Sequence, residues 1–395
     1  KTPADIDRSE IYLNDGTGKF TLLPGSGVQF DRERRTSSAT LVDHDLDGVL
    51  DVFVGVHYTA TGAQQAPAMY RGLGDGRFED VTQAWGLSAE RRATFGVSSC
   101  DLDDDGRREL VMSAYARGPN VLMSPALGLA DQGEASGFAF DDNQDFSDNQ
   151  FFRCWCTVNT SDELCQGVAP PSVVCPNPAD SYWSKSSETR PDRLGGNTFS
   201  TACADVNGDG KLDVYHAEIA HWWAGQSSDV SNLLINQSEP GAISFARADR
   251  AAVGLEVPHP TTDWNEGGIV AAIADLDLDA RPDILLGTSD YPDQFSWIYL
   301  QNDAGTFQES GETIGLHHPC AVGMTAADFD RDGDLDVVVA SGTARDCGDI
   351  WSAPEVHFYE SDAALTGGNW IAVRLRGPGP GGANASGFGE RVELT

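Results

Sequence analysis

Five segments of the chain share one nine-residue pattern: DHDLDGVLD (43–51), DLDDDGRRE (101–109), DVNGDGKLD (205–213), DLDLDARPD (275–283) and DFDRDGDLD (328–336). Recurrence of this kind marks a repeat architecture, in which each copy is one supersecondary unit that buries its apolar faces against its neighbours. Each copy precedes a short apolar or small-residue run, VFVGV, LVMSA, VYHAE, ILLGT or VVVAS, and follows another such as TSSATLV, TFGVSSC or AVGMTAA. The acidic segment therefore reads as a loop joining two strands.

After the second strand come segments such as AMYRGLGDGRFEDVT (68–82) and SWIYLQNDAGTFQES (296–310), which read as hairpins with a glycine-containing turn. One unit is then a four-stranded antiparallel sheet of roughly 50 residues, the size of a propeller blade. The longest interval holds a cysteine-rich stretch at about 141–196, either an inserted subdomain or a degenerate blade without its loop. Residues 9–23 resemble only the outer hairpin of a blade, and NWIAVRLRG (369–377) and GERVELT (389–395) supply two further strands that would join it and close the ring. The expected fold is all-β, a seven-bladed β-propeller if the insertion counts as a blade and six-bladed if not, with seven preferred.

Sixty-one acidic residues oppose 26 basic ones, a net charge of −35, which disfavours a nucleic-acid partner or an anionic membrane surface. Much of the acid is concentrated in the five loops. Two carboxylates about 4 Å apart repel by roughly 1 kcal/mol in water and about 4 kcal/mol at an effective dielectric of 20. A divalent cation reverses the sign of that term. Side-chain oxygens come from positions 1, 3, 5 and 9, a backbone carbonyl from position 7, and glycine at position 6 permits the sharp turn. The ligand sets are Asp43, Asp45, Asp47, Val49 and Asp51; Asp101, Asp103, Asp105, Arg107 and Glu109; Asp205, Asn207, Asp209, Lys211 and Asp213; Asp275, Asp277, Asp279, Arg281 and Asp283; and Asp328, Asp330, Asp332, Asp334 and Asp336. Hard oxygen ligands in a mixed cage favour Ca2+, up to five ions, over zinc, copper or magnesium. Ala280 replaces the turn glycine in the 275 loop, which makes it the least regular copy.

The loops and their flanking strands resemble FG-GAP/VCBS repeats, and Phe95-Gly96 before the 101 loop matches the name motif of that family. More narrowly, MYRGLGDGRFEDVTQAWGL and the terminal NWIAVRLRGPGPGGANASGFGERVELT are similar to the ASPIC/UnbV class. The resemblance implies a propeller over residues 1–367 and the start of an ASPIC/UnbV-like segment over 368–395 that closes it. It also implies that metal loops lie on the lower face and that ligands meet the opposite one. The connections assigned to that upper face carry His57, His216, His221, His317 and His318, with His259, Trp222, Trp223, Trp264, Tyr291 and Trp351 in or beside them. Aromatic rings there could stack on a sugar, and imidazoles could hold an additional transition metal. HAEIAHWW (216–223) lacks the helical HExxH spacing, and no nucleophile elbow, Walker loop or dinucleotide fingerprint is present.

No stretch reaches the roughly 20 apolar residues of a membrane span. Lys1 reads as the start of a mature, exported chain, and eight cysteines point to an oxidising compartment. Cys154, Cys156, Cys165 and Cys175 form two disulfides of open connectivity, with a soft-metal site as the alternative; Cys320 with Cys347 and Cys100 with Cys203 are further candidate pairs. Sequons occur at Asn159, Asn236 and Asn384. The expected function is a secreted calcium-binding propeller, extracellular, or periplasmic or cell-surface in a bacterium, that binds an extracellular protein, glycan or matrix partner without membrane insertion. The alternatives are a metal-dependent enzyme using the histidine-rich face and a subunit of a homopolymeric assembly built through the terminal strands.

Overall fold

A computed structural model of the chain describes residues 9–28, 35–58, 62–179, 182–189, 195–259, 261–362, 373 and 375–382. The chain is all-β in its framework and forms consecutive antiparallel sheets. The first unit is the hairpin β1 (Tyr12–Asn14) and β2 (Phe20–Leu22). The second is the four-stranded sheet β3 (Thr36–Val42), β4 (Asp51–Val56), β5 (Ala68–Gly72) and β6 (Phe78–Asp80). The third follows with β7 (Thr94–Cys100), β8 (Glu109–Ala114), β9 (Val121–Ser124) and β10 (Ala130–Asp131). The fourth contains β11 (Thr198–Ala204), β12 (Asp213–His221), β13 (Asn232–Asn236) and β14 (Phe245–Arg247). The fifth contains β15 (Asn265–Ala274), β16 (Asp283–Thr288), β17 (Trp297–Gln301) and β18 (Phe307–Glu309). The sixth has β19 (Ala321–Ala327), β20 (Asp336–Ser341) and β21 (Glu355–Tyr359).

The second strand of each full unit is an almost continuous apolar run because it is buried on both faces. Every residue of β4, β8 and β16 is buried. First strands are small and polar and only partly covered, and those of successive units lie side by side from β3 to β7, β11, β15 and β19. All five carry a register shift near their start, at Thr36/Ser38, Thr94/Gly96, Thr198/Ser200, Gly268/Val270 and Ala321/Gly323. A bulge increases local twist, and repeating it at one place twists each sheet in the same way.

The core lies between sheets. Val42, Phe53 and Met69 of the second unit meet Leu110, Met112 and Val121 of the third, and Leu102, Val111 and Leu122 meet Val214, Leu234 and Phe245 of the fourth. Tyr215 and Leu233 meet Ile284, Trp297 and Phe307, and Leu285 and Ile298 meet Val337 and Val339. Phe245 and Phe307, each the first residue of a fourth strand, fill the seam with the preceding unit. No fourth strand is described for the sixth unit, and a cleft of about 390 Å³ lined by Leu276, Leu300, Leu316, Val337 and Tyr359 lies at that seam.

The cysteine-rich stretch at about 141–196, expected as an insertion or a degenerate blade, shows helices among its described residues. Helix α1 (Gly133–Ser136) precedes it, α2 (Gln150–Val158) and α3 (Lys185–Glu188) lie within it, and no strand is present among the described residues from 141 to 189. Asn149 starts α2 by accepting the amides of Phe151 and Phe152. Phe152 and Trp155 then pack with Trp183 in a small separate core. Two disulfides, Cys154–Cys175 and Cys156–Cys165, close it, and Cys100–Cys203 and Cys320–Cys347 pair as the sequence suggested. The expected strands at 369–377 and 389–395 lie largely or wholly outside the described residues.

Candidate metal loops and binding face

Each acidic segment leaves its first strand and curls through two left-handed residues. Leu46 and Gly48 have φ of 57° and 84°, and Leu278 and Ala280 have 60° and 70°. Asp104 with Gly106, Gly208 with Gly210, and Arg331 with Gly333 repeat the pair. The fourth position was not legible in the sequence because Leu, Asp and Arg occupy it as well as Gly. A left-handed non-glycine residue costs about 1–2 kcal/mol, so the curl must be held by other contacts.

Part of that hold is a ladder of carboxylate-to-amide bonds. Asp43 accepts the amide of Gly48 at 3.1 Å, and Asp47 accepts that of Val49 at 2.8 Å. Asp101 and Asp275 likewise accept from Gly106 and Ala280, while Asp105, Asp209, Asp279 and Asp332 accept from Arg107, Lys211, Arg281 and Asp334. The ninth residue is a clasp. Asp51, Asp213, Asp283 and Asp336 are fully buried. Each takes one amide from position 2 of its own loop, at His44, Val206, Leu276 or Phe329, and one from beyond the third strand or its end, at Gly72, Asn236, Gln301 or Ser361. Burial pushes the carboxyl pKa of Asp51 and Asp213 up to about 6 and that of Asp283 to about 7.

Four loops bring three carboxylates to one point, with ligand atoms within 4.8 Å of one another: Asp43, Asp45 and Asp47; Asp101, Asp103 and Glu109; Asp275, Asp277 and Asp279; and Asp328, Asp330 and Asp332. In the 205 loop Asn207 instead donates its amide to Asp209 at 3.2 Å. Asp43 Oδ1, Asp103 Oδ1 and Glu109 Oε1 are buried without a hydrogen-bond partner. Orphaned anionic oxygens in a convergent, all-oxygen cluster fit a hard divalent cation. The 101 loop is the most enclosed, since Asp103 is 2% exposed and Glu109 0%, and Gly241 of the fourth unit donates to Asp103. In the 275 loop the Arg281 guanidinium already pairs with Asp279.

The histidines divide differently from the expectation. His216, in the middle of β12, is fully buried; its Nδ1 lies 3.0 Å from Thr201 Oγ1 and its Nε2 donates to the carbonyl of Phe138. Burial drives its pKa down to about 3. His318 is buried between Tyr359 Oη at 2.6 Å and Ser341 Oγ at 2.8 Å, and burial lowers its pKa to about 4. Both are core residues, not binding-face ligands. His317 stacks on Phe295 at 4.0 Å. Among the described residues no convergent group of three metal-ligating side chains includes a histidine.

Two aromatic clusters do form at the sheet ends opposite the acidic loops. His57 packs against Tyr115 and Phe95, and Phe95 and Tyr115 against Phe199. His221 accepts or donates with Asn265 at 2.6 Å and Tyr291 at 3.3 Å and stacks on Trp223. Arg345 lies 4.5 Å over the Tyr291 ring and 3.6 Å from Asp290. Phe95 was noted in the sequence only for its Phe-Gly motif, and Tyr115 and Phe199 were missed because each is separated in sequence from the histidine-bearing loops.

Residues 275–339, which span the fourth and fifth acidic loops, match the model of the FG-GAP-like repeat. That stretch of the chain is similar to an FG-GAP-like repeat. The chain is also similar, at modest identity, to cartilage acidic protein 1 of the ASPIC/UnbV family: 25% identical to the protein of Homo sapiens over 271 residues and 26% identical to that of Xenopus tropicalis over 306. These matches take in 62% and 70% of this chain but only 38% and 44% of the relatives. Among solved structures it is similar to the exotype rhamnogalacturonan lyase YesX, with a TM-score of 0.35 and 15% identity over 96% of this chain and 52% of that one. The V. cholerae biofilm matrix protein Bap1 aligns with a TM-score of 0.36 and 12% identity over 83% of this chain and 41% of that one. Likenesses at this level leave the fold to the sheet topology itself.

Proposed function

We propose that the chain is a secreted, six-bladed, calcium-stabilised β-propeller that serves as a binding module for an extracellular protein, glycan or matrix partner. The observation that carries the reading is the convergence of three carboxylates at four equivalent strand junctions, two of which hold buried oxygens with no hydrogen-bond partner. Calcium neutralises each cluster and fixes the curl between the first and second strands. Sites of this type in extracellular modules bind at roughly 0.1–1 mM, so they fill outside cells. Four disulfides agree with an oxidising compartment, no helix among the described residues is long and apolar enough to cross a membrane, and the relative's name, cartilage acidic protein 1, supports an extracellular reading. The five described first strands, β3, β7, β11, β15 and β19, lie side by side, and with the hairpin β1–β2 as part of a further blade they support a six-bladed ring.

The binding face is assigned to the aromatic clusters around His57, Tyr115, His221, Tyr291 and Arg345, where flat rings and a guanidinium lie opposite the metal loops. Immobilised matrix proteins and glycans should retain the native chain in calcium and lose it on Tyr291→Ala or Arg345→Ala while the melting temperature stays put. Retention equal to the native chain would overturn this assignment. A second reading, self-assembly, is favoured by β21, whose outer edge has no described strand and whose Val356 and Phe358 are exposed. Light scattering of native and Val356→Lys protein separates the two, because only an assembling chain would lose mass.

A further inference from the structure

The first acidic loop differs from the others in what lies on it. The described part of the C-terminal segment, 375–382, reaches back to this loop, and the amide of Gly381 donates to the main-chain carbonyl of Asp47 at 2.6 Å. Gly382 turns back on Gly379 through a 3.0 Å amide-to-carbonyl bond. A Cβ on Gly48 would collide with the carbonyl oxygens of both Gly379 and Gly382, so the glycine opens the loop surface to this strap as well as permitting its positive φ.

The strap therefore grips the peptide between positions 5 and 6 of the loop. That same peptide is tied on its inner side to the carboxylate cluster: Gly48 donates to Asp43, and Asp47 accepts from Val49. Asp43, Asp45 and Asp47 converge, and Asp43 keeps a buried oxygen with no partner. Like charges at that spacing push the loop open when nothing neutralises them. Leu46 and Gly48 on either side of Asp47 are both left-handed, so the Asp47 carbonyl sits within the curl that the cluster shapes.

We propose that the 43–51 loop is a calcium-dependent seat for the C-terminal strap, so that filling the first site docks the segment around 375–382 and emptying it releases the segment. The inference rests on the calcium reading given above. Linkage makes the effect reciprocal: a docked strap must raise the calcium affinity of this loop by the factor by which calcium favours docking. A site of extracellular affinity would then leave the strap free in low-calcium compartments and seat it after export.

Hydrogen exchange of the 375–382 peptide, followed by mass spectrometry with and without chelator, tests this on the full chain. The Gly381 amide should exchange about tenfold faster or more once calcium is removed, within the usual span of site-to-site coupling. Asp45→Asn should show the fast exchange at calcium concentrations that still fill the other loops. Gly381→Pro removes the donor and also forbids the φ of 85° that the docked strap has there, so it undocks the strap while leaving the loop sequence intact; it should weaken one calcium site in a calorimetric titration by about the same factor and leave the number of ions unchanged. If ions bind at the first loop and Gly381 exchange does not respond, the seat is disproved and the calcium reading survives. If no ion binds there at all, both fall.

Discussion

Asn236 donates its side-chain amide to the main-chain carbonyl of Leu102 at 2.8 Å, joining the end of one unit's third strand to the acidic loop of the unit before it. Its backbone amide meanwhile donates to Asp213, the ninth residue of its own loop, at 2.8 Å. Gln301 repeats both contacts one unit later, with Val206 and Asp283. One residue thus ties two successive loops, and the seam at 100–102 is reinforced by Cys100–Cys203 immediately before it. This is how a local pattern of carboxylates is linked to the stacking of whole sheets.

Asn236→Ala leaves the buried carbonyls of Leu102 and Leu212 without their donor. An unsatisfied buried group costs about 1–3 kcal/mol, so chemical denaturation should show a loss in that range. The same burial has a covalent consequence: the sequon at Asn236 should carry no glycan in a eukaryotic host, since both Nδ2 hydrogens are used inside the protein. Intact-mass measurement checks this directly.

The acidic loops should not contribute equally. At calcium about tenfold above Kd, one filled site stabilises the fold by about 1.4 kcal/mol. Asp101→Asn should lose that whole increment, because Asp101 converges there with two carboxylates, Asp103 and Glu109, that are both buried. Asp279→Asn should lose less, since Arg281 already neutralises that loop and the substitution also removes an ion pair that competes with calcium. Calcium titrations of thermal melting for the two variants give the ranking, and equal losses would contradict it.

Much of this arrangement was legible in the sequence. The second strands betrayed themselves as unbroken apolar runs because both faces are covered, and odd-numbered carboxylates marked the loops. What was hidden depends on tertiary context. The left-handed fourth position accepts Leu46 and Leu278 as readily as Gly208, so no residue type announces it. Position 9 reads as one more ligand, yet its two oxygens also clasp backbone amides from separate segments. His216 was set beside an upper connection because the strand run VYHAE was read as ending at Glu218, whereas β12 continues to His221 and places His216 inside. The helix at Gln150–Val158 was lost beneath its cysteines, although Asn149 stands at the capping position.

Asn149 also joins the insertion to the fourth unit, since its side-chain amide donates to the carbonyl of Ala224 at 3.0 Å while its oxygen caps α2. Asn149→Ala removes both functions. A lost cap costs about 1 kcal/mol, and the orphaned Ala224 carbonyl adds to it. The expected result is faster proteolysis within 141–179 with little change in the calcium dependence of melting, because the acidic loops lie at the other end of the sheets.

His318 supplies a testable pH dependence. Its folded pKa of about 4, lowered by burial and then by the neighbouring His357, lies below the roughly 6.5 of an unfolded histidine. Between these values the unfolded chain binds the extra proton, so stability falls as the pH drops from about 6.5 toward 4 and is unaffected by this group above that window. The loss should be about 1–3 kcal/mol, as protonation costs His318 its acceptor role toward Tyr359 or Ser341. His318→Gln keeps polar atoms in the pocket and should flatten the part of the pH profile that this residue causes, at some cost in stability near pH 7. Denaturation curves at pH 7, 6 and 5 in chelator, where the acidic loops are empty in both proteins, isolate the difference; parallel profiles for the two would show that the imidazole does not carry it.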